Sequence, residues 1–155
     1  MARRKCSRAA AALLGVRLEP ILRSVPPREV VITDTRGHWA AQWIADVVRA
    51  GAMEEFENHT FQPRAPLRRV DLAHAVSRIV TLLAATRPVL RVRIAERPQI
   101  ADMDPNHLSY PDAAIAVASG VMPLVNGDRF EMTRPVSGAE AVEAIERLRA
   151  LAARP

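Results

Sequence analysis

Arg68, Arg69 and Asp71 are the residues of this 155-residue chain whose types and spacing best suit binding of a ligand. They stand at the expected start of a helix, where unpaired backbone N–H groups attract anions. A guanidinium holds a carboxylate or phosphate with a planar fork, and Asp71 is placed to orient one of the two arginines. This pattern predicts recognition of a carboxylate-bearing ligand. A purely structural role for Asp71, complementing the dipole of its own helix, stays an alternative.

Residue sets that support catalysis or metal binding are not found in the sequence. The four histidines lack HExxH spacing. Cys6 is the only cysteine, so the histidines cannot form a zinc site with a set of cysteine ligands. The segment 102–106 imitates the opening of a calcium loop, but His107 and Ala113 occupy the positions where that loop needs glycine and glutamate. There is no P-loop and no G-x-S-x-G motif. We therefore expect no enzyme activity, no bound metal and no cofactor.

The positive charge of the chain, +5 at pH 7, comes almost wholly from arginine. Lys5 is the only lysine, so 21 of the 22 basic residues are arginines. If these arginines cluster, they favour an anionic polysaccharide, nucleic acid or an acidic protein surface as a partner. If they are dispersed, they serve only as solvated surface charge. Net charge alone does not separate the two interpretations.

An internal repeat organises the elements that must position these residues. The stretch 32–53 returns in degraded form at 100–122, and the matches then continue at a constant separation of 69 residues. The matched pairs include Gly51 with Gly120, Phe61 with Phe130, and Asp71 with Glu140. Two copies of one supersecondary unit are predicted. Since each copy alone buries little surface, we expect them to pack on one another or on another body.

Each copy is expected to contain two helices separated by a short extended piece. In the first copy a helix starts near His38 and ends at Gly51, which suits a left-handed C-cap. The apolar spacing predicts a second helix over about 68–84. The second copy is expected to place its helices at about 109–119 and 137–153.

The predicted fold class is mostly α, with tandem helix-pair repeats and short extended segments. Residues 30–86 form the first repeat and residues 99–153 form a degenerate second repeat. Residues 87–98 form a connector, whose alternating apolar and basic residues suggest a strand. Residues 1–29 form an N-terminal extension and linker.

The N-terminal extension allows two interpretations. Its basic start and short apolar run meet the lower limit for a signal peptide, but the export signal is not convincing. The alternative is the helical remnant of a preceding unit, with a helix at about 9–16 that Pro20 keeps from continuing. No apolar run approaches the ~18 residues that a membrane span requires.

The first copy contains a specific set of short motifs. They are Ile32-x-Asp34, His38-Trp39-Ala40, Gly51, Phe61-x-Pro63 and Leu67-Arg68-Arg69-Val70-Asp71. This combination resembles the repeat of the S-layer homology family, in which Phe/Ile-x-Asp, His-Trp-Ala, Gly, Phe-x-Pro and Thr-Arg-Ala-Glu occur in that order. The second copy is a weaker match, with Leu108 in the tryptophan position and Gly138 in the arginine position.

The resemblance implies a bundle of helical repeats that attaches proteins non-covalently to the bacterial cell envelope. The ligands it implies are secondary cell-wall polymers with acidic groups, or peptidoglycan-linked material. Carried over residue by residue, it places Arg69 and Trp39 in a glycan groove, whereas Leu108 and Gly138 leave the second copy as a packing partner. Family members usually carry three repeats, so a third would be missing, supplied by another chain, or hidden in the N-terminal segment.

The predicted function is non-catalytic attachment to the cell envelope or cell surface through an acidic cell-wall polysaccharide. Arg69 would pair with the acidic group, Arg68 would add positive field beside Asp71, and Trp39 would offer a face to a sugar ring. Another chain bearing this module, or an additional repeat, is a further expected partner. Two alternatives are a scaffold for protein interaction and, less favoured, nucleic-acid binding that weakens steeply with salt.

Overall fold

The chain is mostly helical, as predicted, in a computed structural model that describes residues 5–153, the side chains of residues 13 and 14 apart. The helices are α1 (Arg8–Gly15), α2 (Glu19–Leu22), α3 (Ala41–Arg49), α4 (Arg69–Ala84), α5 (Pro88–Ile94), α6 (Tyr110–Ala118) and α7 (Gly138–Ala153). A 3₁₀ turn, Val16–Leu18, joins α1 to α2. Within residues 5–153 the extended segments form isolated β-bridges and no sheet. Residues 1–4, the basic start on which the signal-peptide interpretation rests, lie outside the described residues.

Two compact units make up the chain, and each is described by itself. Unit 1 comprises Met1–Leu67 and Pro135–Ile145, and unit 2 comprises Arg68–Arg134 and Glu146–Pro155. The unit boundaries fall inside the predicted repeats, between Leu67 and Arg68 in the first and between Ile145 and Glu146, within α7, in the second. Unit 1 therefore contains α1 and α3, and unit 2 contains α4 and α6.

Unit 1 has its core where α1 packs against α3. The apolar face of α3 is fully buried at Ile44, Val47 and Val48. Gly15 lies at the closest approach, because a Cβ placed there would be only 2.8 Å from Cγ1 of Val47. The glycine therefore sets how closely the two helices approach.

Unit 2 has its core where α4 packs against α6. Val76 and Val80 on α4 are fully buried, and α6 contributes the small residues Ala113 and Ala116. Small side chains on one helix let the larger side chains of the other fill the space between them. The spacing of the buried residues is the helical periodicity that the sequence predicted for 68–84.

The expected strand in the connector 87–98 is wrong, because this segment forms α5. Pro88 lies in its first turn, where a missing N–H costs nothing. Of the alternating apolar residues, Leu90 is buried whereas Val89 and Val92 are exposed, which is a one-sided helical pattern. Over so short a run, the spacing of apolar residues does not distinguish a strand from a short helix.

The helical region at the N-terminus also extends further than expected. After α1 the 3₁₀ turn leads directly into α2, and Pro20 occupies the first turn of that helix. Leu18 and Leu22 are buried in unit 1. Proline therefore starts a new short helix here, because its fixed φ suits a first helical turn.

A ring of three backbone hydrogen bonds closes inside unit 1. The N–H of Cys6 donates to the carbonyl of Val136, Val136 donates to Leu67, and Leu67 donates to Cys6, each over 2.8 Å. All three side chains are buried. Each ring residue lies two positions before a long helix of the sequence, namely α7, α4 or α1. The segment at Cys6 is therefore held in the same way as the corresponding segments of the two predicted repeats.

Candidate functional site

In unit 1 an aspartate connects the segment before α3 with the loop after α3. The carboxylate of Asp34 accepts the backbone N–H groups of Phe61 and Gln62, each over 2.7 Å. Gln62 has a positive φ of 54°, so its N–H is turned toward the carboxylate at some backbone cost. The motif aspartate thus fixes the loop that follows α3.

Arg8 holds the same loop of unit 1 from the other side. Its Nε donates to the carbonyl of Phe61 over 2.8 Å, and its Nη2 donates to the carbonyl of Glu54 over 2.6 Å. The guanidinium also lies over the Phe61 ring at 4.5 Å and the Phe56 ring at 4.9 Å. Arg8 is only 6% exposed, so this guanidinium is a buried structural clamp.

Unit 2 repeats this arrangement with different residues. The carboxylate of Asp102 accepts the N–H groups of Phe130 and Glu131 over 2.7 and 2.8 Å. Arg69 donates from Nε to the carbonyl of Phe130 over 2.6 Å and from Nη2 to that of Pro123 over 2.9 Å. Its guanidinium lies 4.9 Å from the Phe130 ring centre.

This geometry does not support the expected ion pair between Arg69 and an acidic ligand. Arg69 is only 5% exposed, and its planar fork is turned toward two loop carbonyls. Two of its nitrogens, Nε and Nη2, therefore donate to the protein rather than to a ligand. Arg69 is therefore placed as a residue that positions the loop, and Arg68 replaces it as the exposed arginine of the motif.

The charge state of Asp102 follows from the same contacts. Partial desolvation by burial raises the pKa of this carboxyl. Hydrogen bonds from the N–H groups of Phe130 and Glu131 lower the pKa by more than burial raises it. The nearby Arg129 acts in the same direction. The pKa of Asp102 therefore lies below its usual value, and the carboxylate is ionised when the loop is in place.

Arg68 and Asp71 form an exposed, well-oriented pair in unit 2. Nε and Nη2 of Arg68 donate to the two carboxylate oxygens of Asp71 over 3.1 and 3.0 Å. Asp71 also accepts the backbone N–H of Arg68 over 3.0 Å and so caps α4. The hydrogen bond to Asp71 raises the pKa of Arg68 above its usual value. Half of the Arg68 side chain, 49%, is exposed.

Trp39 lies on the surface of unit 1 and belongs to a small aromatic cluster. It is 61% exposed, with the His38 ring at 5.5 Å and the Trp43 ring at 5.9 Å in an edge-on arrangement. Nδ1 of His38 accepts the N–H of Ala40 over 3.1 Å, just before α3 begins. Most of the Trp39 side chain is therefore accessible to solvent.

The second copy places an aliphatic residue at the equivalent surface position. His107 makes the same contact as His38, accepting the N–H of Ser109 over 3.1 Å. The next residue, Leu108, is 92% exposed. The local backbone is therefore kept, whereas the aromatic face is absent from this position.

The sequence-predicted site residues are divided between the two units. Arg68 and Asp71 are paired in unit 2, Arg69 on the same helix is turned inward, and Trp39 belongs to unit 1. Arg8 was missed as a motif residue. The sequence carries a sign of it, because Ser7-Arg8-Ala9 follows the Thr-Arg-Ala pattern of the family motif.

Two other features are absent from the described residues. Among these residues no group of three or more histidine, cysteine, aspartate or glutamate side chains could hold a metal ion. Within the same part of the chain no helix has both the length and the apolar character needed to cross a membrane.

Comparison with protein families assigns part of the chain. Residues 31–73 match the family model of the S-layer homology domain, which confirms the resemblance seen in the first copy. The chain matches no curated protein. Domains of this family are non-catalytic anchoring modules that bind cell-wall polymers and attach proteins to the cell envelope. Residues 31–73 of this chain are therefore similar to an S-layer homology domain.

Proposed function

We propose that this protein attaches to the cell envelope by binding an acidic cell-wall glycan, and that it does so without catalysis. The glycan is a secondary cell-wall polymer or peptidoglycan-linked material. The observation that carries the proposal is the exposed Trp39 ring inside the S-layer homology domain. The proposal also covers the degenerate second copy, which contributes packing rather than a second aromatic contact.

Trp39 has the properties of a sugar-binding surface. An exposed aromatic ring offers an apolar face to the C–H groups of a pyranose ring, and contacts with neighbouring rings restrict its orientation. His38 and Trp43 supply those contacts. Because the ring is held before the ligand arrives, little side-chain entropy is lost on binding.

Arg68 is the proposed contact for an acidic substituent. Its bonds to Asp71 use Nε and Nη2, so the N–H groups on Nη1 are available to a ligand. Asp71 neutralises much of the net charge and holds the guanidinium plane in place. Arg68 therefore offers directed hydrogen bonds more than long-range attraction, and the binding should be only moderately sensitive to salt.

The test is co-sedimentation of the full chain with bacterial cell-wall sacculi that retain their polymers. The variants are Trp39→Ala and Arg68→Gln. Leu108→Ala is the matched control for the first, because it truncates an exposed side chain at the equivalent position of the second copy. Arg149→Gln is the matched control for the second, because Arg149 forms an exposed pair with Glu146 three residues away.

We expect Trp39→Ala to weaken sedimentation by about ten-fold and Arg68→Gln by about five-fold, with both controls near the parent. Sacculi stripped of their polymers by hydrofluoric acid should retain little protein. Equal binding by Trp39→Ala and Leu108→Ala would overturn the role of Trp39. Retention that any polyanion, including DNA, abolishes equally would instead favour charge-driven binding.

A protein-interaction scaffold is the second candidate function, and one observation favours it for the second copy. Leu108 is 92% exposed, and an isolated aliphatic side chain suits a protein surface better than a sugar ring. This candidate predicts that Leu108→Ala, and not Trp39→Ala, reduces capture of a partner chain. The two candidates are therefore separated by the same pair of variants.

A further inference from the structure

The turn at residues 125–128 of unit 2 carries the only asparagine–glycine pair of the chain. Its central residues, Asn126 and Gly127, are exposed and have φ of 52° and 88°. The N–H of Asp128 donates to the carbonyl of Val125 over 3.3 Å, which makes this a type I′ turn. We propose that Asn126 is a site of spontaneous deamidation, and that the isoaspartate formed there loosens the loop that Asp102 holds.

The reaction uses the backbone nitrogen that follows the asparagine. Hydroxide removes the proton of the Gly127 N–H, and the nitrogen attacks Cγ of Asn126. A C–N bond forms and closes a succinimide ring, the bond between Cγ and Nδ2 breaks, and Nδ2 takes a proton from water and leaves as ammonia. Water then adds to either carbonyl of the ring and opens it, which gives aspartate or isoaspartate at position 126. Water and hydroxide are the only co-reactants, and nothing is oxidised or reduced.

The reacting groups of this turn are not engaged by the rest of the protein. Within residues 5–153 the N–H of Gly127 donates to no acceptor, and the side-chain amide of Asn126 has no hydrogen-bond partner. Gly127 carries no Cβ to shield its nitrogen, and a Cβ built there would meet nothing within 4 Å. Glycine also permits the backbone rotation that brings its nitrogen to Cγ. The folded chain therefore leaves room for the attack.

The two other asparagines of the chain lack these features. Asn58 in unit 1 and Asn106 in unit 2 are each followed by a histidine, whose side chain stands beside the nitrogen. The N–H groups of His59 and His107 each donate to a backbone carbonyl, over 2.8 and 2.9 Å. Such a hydrogen bond must be broken before the nitrogen can attack, which slows the reaction. Asn126 should therefore react before either of them.

The turn lies directly before the loop that Asp102 holds. Val125 and Arg129 close it by exchanging two backbone hydrogen bonds, over 2.7 and 3.1 Å. The next residue, Phe130, donates its N–H to Asp102 over 2.7 Å. Isoaspartate routes the main chain through Cβ and Cγ, so the turn gains one backbone atom between these fixed points. The product is therefore expected to weaken the hydrogen bond between Phe130 and Asp102.

The first experiment keeps the full, folded chain in mildly alkaline buffer and maps its peptides by mass spectrometry over time. An isoaspartyl methyltransferase measures isoaspartate, which forms through the succinimide and not through direct hydrolysis of the amide. Asn58 and Asn106 are internal controls. The matched variant is Gly127→Asn, because asparagine tolerates a positive φ and its side chain shields the nitrogen.

We expect isoaspartate to form at position 126 about ten-fold faster than at Asn58 or Asn106, since no hydrogen bond has to be broken first. The rate should rise with hydroxide concentration and should fall in Gly127→Asn. The proposal is overturned if all three asparagines react at one rate. It is also overturned if position 126 reacts equally fast in the parent and in Gly127→Asn.

Hydrogen exchange on the separated isoaspartate form tests the effect on the loop. The amide of Phe130 should exchange several-fold faster than in fresh protein, because its acceptor Asp102 is less well placed. The amide of Phe61, which Asp34 accepts in the corresponding loop of unit 1, is the control and should not change. Unchanged exchange at Phe130 would overturn the effect on the loop. No cell-wall material is used, so these results are independent of the proposed function.

Discussion

Unit 1 and unit 2 build the same clamp from different parts of the chain. In each, an aspartate accepts two successive N–H groups at a phenylalanine, and a buried arginine donates to the carbonyl of that phenylalanine and covers its ring. The arginine comes from Arg8 in one unit and Arg69 in the other. In both units, the aspartate and the arginine therefore hold the loop at this phenylalanine.

The surfaces of the two units differ where their interiors agree. Trp39 in unit 1 corresponds to Leu108 in unit 2, and both are exposed. Trp43 in unit 1 corresponds to Asp112 in unit 2, which pairs with His74. The comparison teaches that a motif arginine alone does not mark a ligand contact, because Arg8 and Arg69 both donate to loop carbonyls.

The third position of the backbone ring supports this view. Gly138 occupies the arginine position after Val136 and has no side chain with which to clamp a loop. The start of α7 is held instead by a capping box, in which Ser137 and Glu140 each accept the other's backbone N–H, over 3.2 and 2.9 Å.

The largest effect is expected from breaking the two clamps. Arg8→Met and Arg69→Met should each lower the free energy of unfolding by about 3 kcal/mol, because each leaves two loop carbonyls without charged donors. Urea denaturation measures both, with the exposed Arg64→Met as control. Equal losses would support the equivalence of the units. If Arg69→Met instead kept full stability and lost sacculus binding, Arg69 would be a ligand contact after all.

A smaller effect is expected from the loop aspartates. Asp34→Asn and Asp102→Asn should each cost about 1–2 kcal/mol, because an amide oxygen replaces only part of the charged acceptor. Since the pKa of Asp102 is lowered on folding, its contribution is complete above the usual aspartate range and is lost as the pH falls through the folded pKa. Urea midpoints of Asp102→Asn should therefore vary less between neutral and acidic pH than those of the parent. Identical pH profiles would contradict the assignment.

The sequence was sufficient for the features that depend on local pattern. The helices α4 and α7 follow apolar spacing, and the capping residues at Ser137 and Glu140 follow local hydrogen-bond chemistry. Asp34 could be placed in a turn. Its bond to Phe61, however, joins residues 27 positions apart, and no periodic pattern encodes that distance.

The direction of the motif arginines could not be predicted from sequence. Whether a guanidinium faces a ligand or a loop depends on which carbonyls the tertiary fold brings near it, and for Arg69 these belong to Pro123 and Phe130. The role of Arg8 was hidden for the same reason. Its match to the motif is short, and its loop partners, Glu54 and Phe61, lie about fifty residues away in the sequence.

The two helix-ending glycines give a third comparison. Replacing either by alanine should lower the free energy of unfolding by about 1–2 kcal/mol. Gly51→Ala and Gly120→Ala each force alanine into a left-handed conformation, at φ of 72° and 80°. A Cβ at Gly51 meets nothing within 4 Å, whereas one at Gly120 lies 3.1 Å from the Arg93 guanidinium. Thermal denaturation should therefore show a slightly larger loss for Gly120→Ala. Equal losses would mean that Arg93 moves aside freely.

The smallest expected effect concerns the His74–Asp112 pair, which joins α4 to α6 in unit 2. The hydrogen bond to Asp112 raises the pKa of His74 despite partial burial. Burial of Asp112 opposes its ionisation, but hydrogen bonds from His74 and Ser77 outweigh this and lower its pKa. Asp71 favours the charged imidazole and Arg78 opposes it. Both partners are partly exposed, so solvent weakens the interaction.

The sign of the pH dependence follows from these two shifts. The histidine contribution is complete below its unfolded pKa of about 6.5 and is lost as the pH rises through the higher folded value. The aspartate contribution is complete above about 3.9 and is lost as the pH falls through the lower folded value. His74→Gln should therefore lower the urea midpoint most between about pH 4 and 6.5. The control is His59→Asn, at an exposed position with φ of 58° that asparagine tolerates. A constant difference between His74→Gln and the parent at every pH would show that His74 stabilises unit 2 by packing alone. The hydrogen bond between His74 and Asp112 would then add nothing to the free energy of unfolding.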